Sequence, residues 1–216
     1  ALSQITKNIK KPVSCIIGGS KISTKINVIK NLVKLYDNII IVGAMANNFI
    51  MYNGGSIGKS FFERSSNKIV ETIYEATEKY NCKIICPLDV SVGKNLNDTS
   101  INKDINDIDD DDLILDVGLK TIKLIKDIII NSKTILWNGP AGYIENENFA
   151  FGSNEIAKQI STLSKNKKLF SVVGGGDTVS IINKLNLIEN FNFVSTAGGA
   201  FLEYLEGKEL PGIKSL

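Results

Sequence analysis

Two lysines, one acid and a set of glycines are the groups in this sequence best suited to chemistry. The segment LFSVVGGGDT, residues 169–178, is a short apolar run that stops at Gly174, Gly175 and Gly176 and is followed at once by Asp177 and Thr178. Glycine leaves no Cβ between backbone N–H groups and an approaching ligand. An acid and a hydroxyl at a helix start either cap the helix or hold a metal ion beside phosphate oxygens. Upstream, Gly18 and Gly19 precede Lys21 and Lys25. Two ammonium groups near a helix N-terminus oppose its dipole. They are either solvated surface charge or partners of an anion, and the preceding glycine pair favours the anion. Further glycines close apolar runs at Gly43, at Gly139 after Asn138, and at Gly198 and Gly199. None of these segments fits GxGxxG or GxxxxGK[ST], so neither a standard dinucleotide fingerprint nor a P-loop is present.

Composition narrows the chemistry further. The 216 residues contain no histidine, and Arg64 is the one arginine among 25 cationic residues. A histidine triad, a histidine metal cluster or an arginine clamp is therefore excluded, leaving Lys, Asp, Glu and backbone. The net charge of +2 is spread along the chain, so neither nucleic acid nor a membrane surface is an expected partner. Cys15, Cys82 and Cys86 are odd in number, form no CxxC pair and lie in or beside apolar runs, which reads as reduced core thiols and a cytoplasmic location. The sequence opens ALSQITKNIK with no starting Met and is read as a piece of something longer.

The elements that must position these groups alternate in type. Apolar runs predict strands over 13–17, 38–42, 83–86, 133–137, 169–173 and 191–195. Helical spacing predicts helices over 2–9, 23–36, 45–52, 67–80, 118–130, 149–163 and 179–185, with a last one from 196 to 205. Residues 89–114, polar and rich in Asn and Asp, read as irregular, and the acidic run 109–112 as a solvated loop. Trp137 reads as packing, not as a platform for stacking a base. Such alternation implies an α/β fold: a doubly wound, six-stranded, mainly parallel sheet with helices on both faces, Rossmann-like, in three αβα layers. In such a sheet the carboxyl ends of the strands share one edge, where ligands bind, so the glycine segments are expected to converge there.

The segments PVSCIIGGSKISTK, VGAMANNFI, GKSFFE, KTILWNGPAGYIE, VVGGGDT and STAGGAFLEYLEGKELPG, in this order and spacing, resemble the C-terminal, nucleotide-binding lobe of bacterial-type phosphoglycerate kinases over essentially the whole of 1–216. The resemblance implies a phosphotransferase of glycolysis with a carboxyl group as acceptor. It reversibly moves a phosphoryl group from 1,3-bisphosphoglycerate to Mg-ADP, giving 3-phosphoglycerate and ATP. It implies that Lys21 meets the transferring phosphoryl group and Lys25 the nucleotide phosphates. Asp177 corresponds to the Mg2+ ligand, and Gly174, Gly175, Gly176, Thr178 and Asn138 surround the phosphates. Glu145 corresponds to the acid that accepts the ribose hydroxyls, and Gly18, Gly19, Gly43 and Leu115 to the walls of the adenine pocket. Gly198 and Gly199 correspond to the helix start whose amides hold the transferred group. Positioning and charge neutralisation would then supply the catalysis, with no covalent protein nucleophile.

The sequence departs from the family's pattern in places. Ala44 and Ala197 stand where glycines are common, and Ile114 and Leu119 where Gly and Pro are often seen. The family's arginine-rich N-terminal lobe, which holds the phosphoglycerate, has no counterpart here. The lobe alone, expected as a monomer, should bind nucleotide with little or no turnover. A nucleotide-binding module without activity of its own is the alternative. A Rossmann-type oxidoreductase domain would need the GxGxxG turn that is missing, and a purely structural role leaves Lys21, Lys25 and Asp177 unexplained.

Overall fold

Short runs of β-branched residues form the centre of the computed structural model, which describes residues 2–208. Strands β1 (Val13–Ile17), β2 (Asn38–Ile41), β3 (Lys83–Ile85), β7 (Thr134–Asn138), β8 (Phe170–Gly174) and β9 (Phe193–Ser195) pair in parallel in the order β3-β2-β1-β7-β8-β9. Every residue of β1 and β7 is buried, as expected of central strands covered on both faces. Alternate side chains divide between two cores. Cys15, Ile17, Ile39, Ile41, Leu136 and Val172 pack on helices α1 (Ile26–Leu32), α2 (Ala46–Tyr52), α3 (Asn67–Tyr80) and α7 (Gly198–Leu205). Ile16, Ile40, Ile135, Trp137 and Val173 pack on α4 (Leu119–Asn131), α5 (Phe151–Lys165) and α6 (Gly176–Lys184). The result is the expected three-layer αβα arrangement.

The chain leaves β1 for β2 and β3 on one side and returns to β7, β8 and β9 on the other. Connections from β1 and β7 therefore diverge, and an open parallel sheet has its crevice at this point, outside the carboxyl ends of the strands.

The main correction concerns residues 89–114. They hold strands β4 (Asp89–Gly93) and β5 (Ile101–Asp104), which with β6 (Leu113–Val117) make a second, antiparallel sheet in the order β5-β4-β6. Only one face is apolar: Val90 and Val92 pack with Ile50, Ile57 and Ile108. The short alternation is masked in the sequence by the Asn and Asp residues around it. The acidic run is only partly solvated. Asp112 is buried and its carboxylate bridges Lys94 at 2.8 Å and Lys103 at 2.7 Å, with Asp109 and Asp111 joining the same two lysines from outside. Asp89, also buried, accepts hydrogen bonds from the amides of Lys120 and Thr121 and from the Thr121 hydroxyl, which fixes β4 to the N-terminus of α4.

The predicted helix over 2–9 is only a 3-10 turn, Leu2–Ile5; the amides of Lys7 and Asn8 both donate to the Ser3 carbonyl, which closes the turn. The helix over 23–36 is shortened to α1, preceded by the 3-10 turn Ile22–Thr24. The other helices and strands agree to within about three residues at each end. The last residues of the STAGGAFLEYLEGKELPG segment, 209–212, lie outside the described residues.

Candidate functional site

Three backbone corners meet at the carboxyl ends of β1, β2 and β7. The amide of Gly18 donates to the Asn138 carbonyl at 2.8 Å, that of Gly43 to the Ala141 carbonyl at 3.1 Å, and that of Met45 to the Gly19 carbonyl at 2.9 Å. The approach is too close for side chains. A Cβ on Gly18 would stand 2.2 Å from the Pro140 carbonyl oxygen, and Gly43 has a φ of 69° that L-residues rarely adopt.

A second set of contacts joins β7 and β8. The Lys25 ammonium donates to Asn138 Oδ1 at 2.7 Å, and Asn138 Nδ2 donates to the Gly174 carbonyl at 2.7 Å. The Gly139 amide donates to the hydroxyl of Thr178 at 2.7 Å. Gly175, at a φ of 100°, turns the chain from β8 into α6, so Gly176, Asp177 and Thr178 form that helix's first turn. Thr178 is fully buried, so its hydroxyl serves this loop-to-loop tie. Asp177 is exposed, and its carboxylate has no hydrogen-bond or ion-pair partner among the described residues.

Beside these corners lies a cavity of about 320 Å³. One side is formed by Gly19, Gly43, Ala44, Asn47, Ile50 and Phe61, and the other by the inserted sheet through Val90 and residues 113–117. Residues 140–145 and Asp177 also contribute to the lining. Of the residues predicted from sequence, Gly19, Gly43, Leu115, Glu145 and Asp177 line this cavity. Gly18, Lys25, Asn138, Gly174, Gly175, Gly176 and Thr178 form the adjoining loops. Lys21, Gly198 and Gly199 lie outside the lining. Lys21 begins the 3-10 turn, close enough to Glu63 to help lower that carboxyl, whose main stabilisation comes from Ser23. Gly198 opens α7 next to β9, with open space around both glycines. Ala197 has a φ of −89°, an ordinary value for alanine, so no strain follows from the missing glycine. Ile114 lines the cavity, whereas Leu119 is an exposed residue in the first turn of α4.

The electrostatics are uneven. Lys25 is partly buried, and desolvation pulls its ammonium below the usual lysine range. Its hydrogen-bond partner is a neutral amide, and no carboxylate pairs with it among the described residues. Trp137 is wholly buried, its indole N–H donating to the Gly139 carbonyl, which agrees with a packing role.

Two lining residues carry polar chemistry that sequence reasoning missed. Asp116, buried at the end of β6, accepts from the amides of Gly152 and Val117 at 2.7 and 2.8 Å. Asn47 is buried on α2. The signal for the first was the apolar run LILDV, which could have marked a strand delivering residues 113–117 to one wall. Nothing in the sequence distinguishes Asn47 from its neighbour Asn48.

Fold and crevice together define a doubly wound parallel α/β domain with its cleft at the switch of strand order. A family model described as phosphoglycerate kinase matches residues 1–208. Curated phosphoglycerate kinases from Wolbachia pipientis of Culex pipiens and from Zymomonas mobilis are each 45% identical over 207 residues, covering 95% of this chain and 52% of theirs. Among solved structures, phosphoglycerate kinase from Coxiella burnetii superposes with a TM-score of 0.93 at 39% identity, covering 99% of this chain and 55% of that one. The enzyme from Pyrococcus horikoshii superposes at 0.79 with 26% identity, covering 100% and 54%. The chain belongs to the phosphoglycerate kinase family, and it spans about half the length of the relatives it matches.

Proposed function

We propose that residues 1–216 are the C-terminal, nucleotide-binding lobe of a phosphoglycerate kinase, and that the cavity receives the base and ribose of Mg-ADP or Mg-ATP. The base lies between the glycine corners and the inserted sheet, against Gly18, Gly19, Gly43 and Leu115. Glu145 accepts the ribose hydroxyls. The phosphates run over Gly174, Gly175 and Gly176, near Lys25, Asn138 and Thr178. The observation that carries this reading is the ammonium of Lys25, partly desolvated beside three glycine-bearing loops and held, among the described residues, by a neutral amide alone. An arriving phosphate would offset that cost.

The residues fit a nucleotide-bound Mg2+. Asp177 offers an exposed carboxylate at the cavity with no ammonium partner among the described residues. A hard cation of this kind takes one or two carboxylates and shares the rest of its shell with phosphate and water. When bound, it neutralises charge on the phosphates. In the proposed reaction an oxygen of the ADP β-phosphate attacks the acyl phosphorus of 1,3-bisphosphoglycerate. The bond from phosphorus to the acyl oxygen breaks, and 3-phosphoglycerate leaves as a carboxylate. Lys21 and the amides of Gly198 and Gly199 steady the group in flight.

A partner lobe would bring the phosphoglycerate, because this chain has one arginine with which to hold a second polyanion. Binding with little or no turnover is therefore proposed for this chain, as a monomer in the cytoplasm. Among the described residues no helix is long and apolar enough to cross a membrane.

Calorimetric titration with Mg-ADP tests the reading. Asp177→Ala and Lys25→Ala should each weaken binding about ten-fold or more, since each removes a charge-assisted contact. Affinity like the unmodified chain's in both variants would refute the assignment.

A further inference from the structure

Lys21 and Lys25 flank the 3-10 turn Ile22–Thr24, and Lys21, at its N-cap position, makes no side-chain hydrogen bond to it. The amides that open a helical turn need an acceptor. Glu63 supplies one from the connection between α2 and α3: its Oε2 accepts from the Ser23 amide at 2.9 Å. The hydroxyl and amide of Ser23 hold this carboxyl below its usual range, with Lys21 adding to the effect. Within the turn, the Thr24 hydroxyl donates to the Lys21 carbonyl at 2.8 Å and the Lys25 amide to the Ile22 carbonyl at 3.0 Å, so a shift of the turn moves both lysines.

Glu63 is itself held from α2. The buried side chain of Asn48 donates to the Glu63 carbonyl at 2.8 Å and to the Ser66 hydroxyl at 2.6 Å, and that of Asn47 donates to the Phe61 carbonyl at 2.8 Å. Met45, at the N-cap of α2, donates its amide to the Gly19 carbonyl at 2.9 Å. The same helix thus grips the lysine-bearing loop on both sides of Lys21, directly at Gly19 and through Glu63 at Ser23.

We infer that Glu63 is a positioning residue for phosphate: by capping the turn Ile22–Thr24 it fixes how Lys21 and Lys25 approach the phosphates of the bound nucleotide. The inference rests on the proposed nucleotide site and adds to it a residue outside the cavity lining. What the turn needs is an acceptor oxygen. A glutamine offers one in the same place and removes the anion beside Lys21, which otherwise competes with phosphate for that ammonium.

The test measures binding of Mg-ATP and of adenosine by calorimetry on the 216-residue chain, Glu63→Ala and Glu63→Gln. Mg-ATP carries the terminal phosphate assigned to Lys21, whereas adenosine reads the base and ribose alone. Glu63→Ala should weaken Mg-ATP about ten-fold while adenosine stays within about two-fold, because misplaced ammonium groups matter only to the phosphates. Glu63→Gln should bind Mg-ATP at least as tightly as the unmodified chain. Equal losses for Mg-ATP and adenosine in Glu63→Ala would reveal a cap that serves stability only and overturn the inference. So would full Mg-ATP affinity in that variant, or a Glu63→Gln as weak as Glu63→Ala. Should the alanine variant not fold, Glu63→Asp withdraws the carboxylate by one methylene and should lose about three-fold for Mg-ATP alone; unchanged affinity there overturns the inference. If the unmodified chain binds neither ligand, the nucleotide site itself falls, and the inference with it.

Discussion

Asp116 joins the inserted sheet to α5 through the Gly152 amide, and its carboxyl is buried beside the cavity. Burial raises it to about 7, although the amides of Gly152 and Val117 favour its charged form. The folded value thus lies above the unfolded value of 3.8, and the native state holds the extra proton between the two. This group's contribution to stability is fullest near the lower value and declines as pH rises through the upper one. Urea denaturation from about pH 4.5 to about pH 7.5 should find the unmodified chain losing stability relative to Asp116→Asn, by up to about 1.4 kcal/mol per pH unit. A difference between the two proteins that stays constant with pH would contradict this. Lys25 has the opposite sign of charge but the same cause, since desolvation disfavours its ammonium too.

The inserted sheet is the element that turns an open edge into an enclosed cavity, and Asp112 is its buried tie. Burial alone would raise this carboxyl, but hydrogen bonds from Lys103, Lys94 and the Asp109 amide outweigh it and hold it at about 2. Stability from this pairing is present above about pH 4 and fades as pH falls toward 2. Because both lysines reach solvent, screening limits the contribution to about 1–2 kcal/mol. Asp112→Asn should therefore lower stability by roughly that amount at neutral pH, with the gap closing in acid when followed by denaturant melts; a gap that persists near pH 2 would refute the account. This sheet was also the part of the fold least legible in the sequence. The parallel strands announce themselves as continuous runs such as VSCII and TILWN because both faces are covered. Strands β4 and β5 bury one face only, and their polar face merges with the Asn and Asp residues beside it. Charge pairing hides in the same way: in the run 109–112 the sequence gives no sign that Asp112, and not its neighbours, turns inward to two lysines more than eight residues away. The loops at Gly18, Gly43 and Gly175 were legible because their backbone needs glycine. Asn47 was not, since its role depends on a carbonyl 14 residues away.

At the scale of the molecule, a cleft stands at the switch of strand order, and the chain spans about half of each relative. Charge neutralisation around a polyphosphate can bind a nucleotide without a second substrate, so binding and turnover should separate. Steady-state assay of the purified chain with Mg-ATP and 3-phosphoglycerate should detect little or no product, and appreciable turnover would contradict the proposal that the other lobe is required. The central claim is that the carboxyl edge of the sheet receives the nucleotide, and backbone amide NMR reads this most directly. Titration of isotope-labelled chain with Mg-ADP should shift the amides of Gly19, Gly43, Gly139, Gly175 and Gly176, with the far ends of α4 and α5 unmoved. Saturable binding that leaves these five amides in place, and moves instead the groove between α1 and α3, would contradict it.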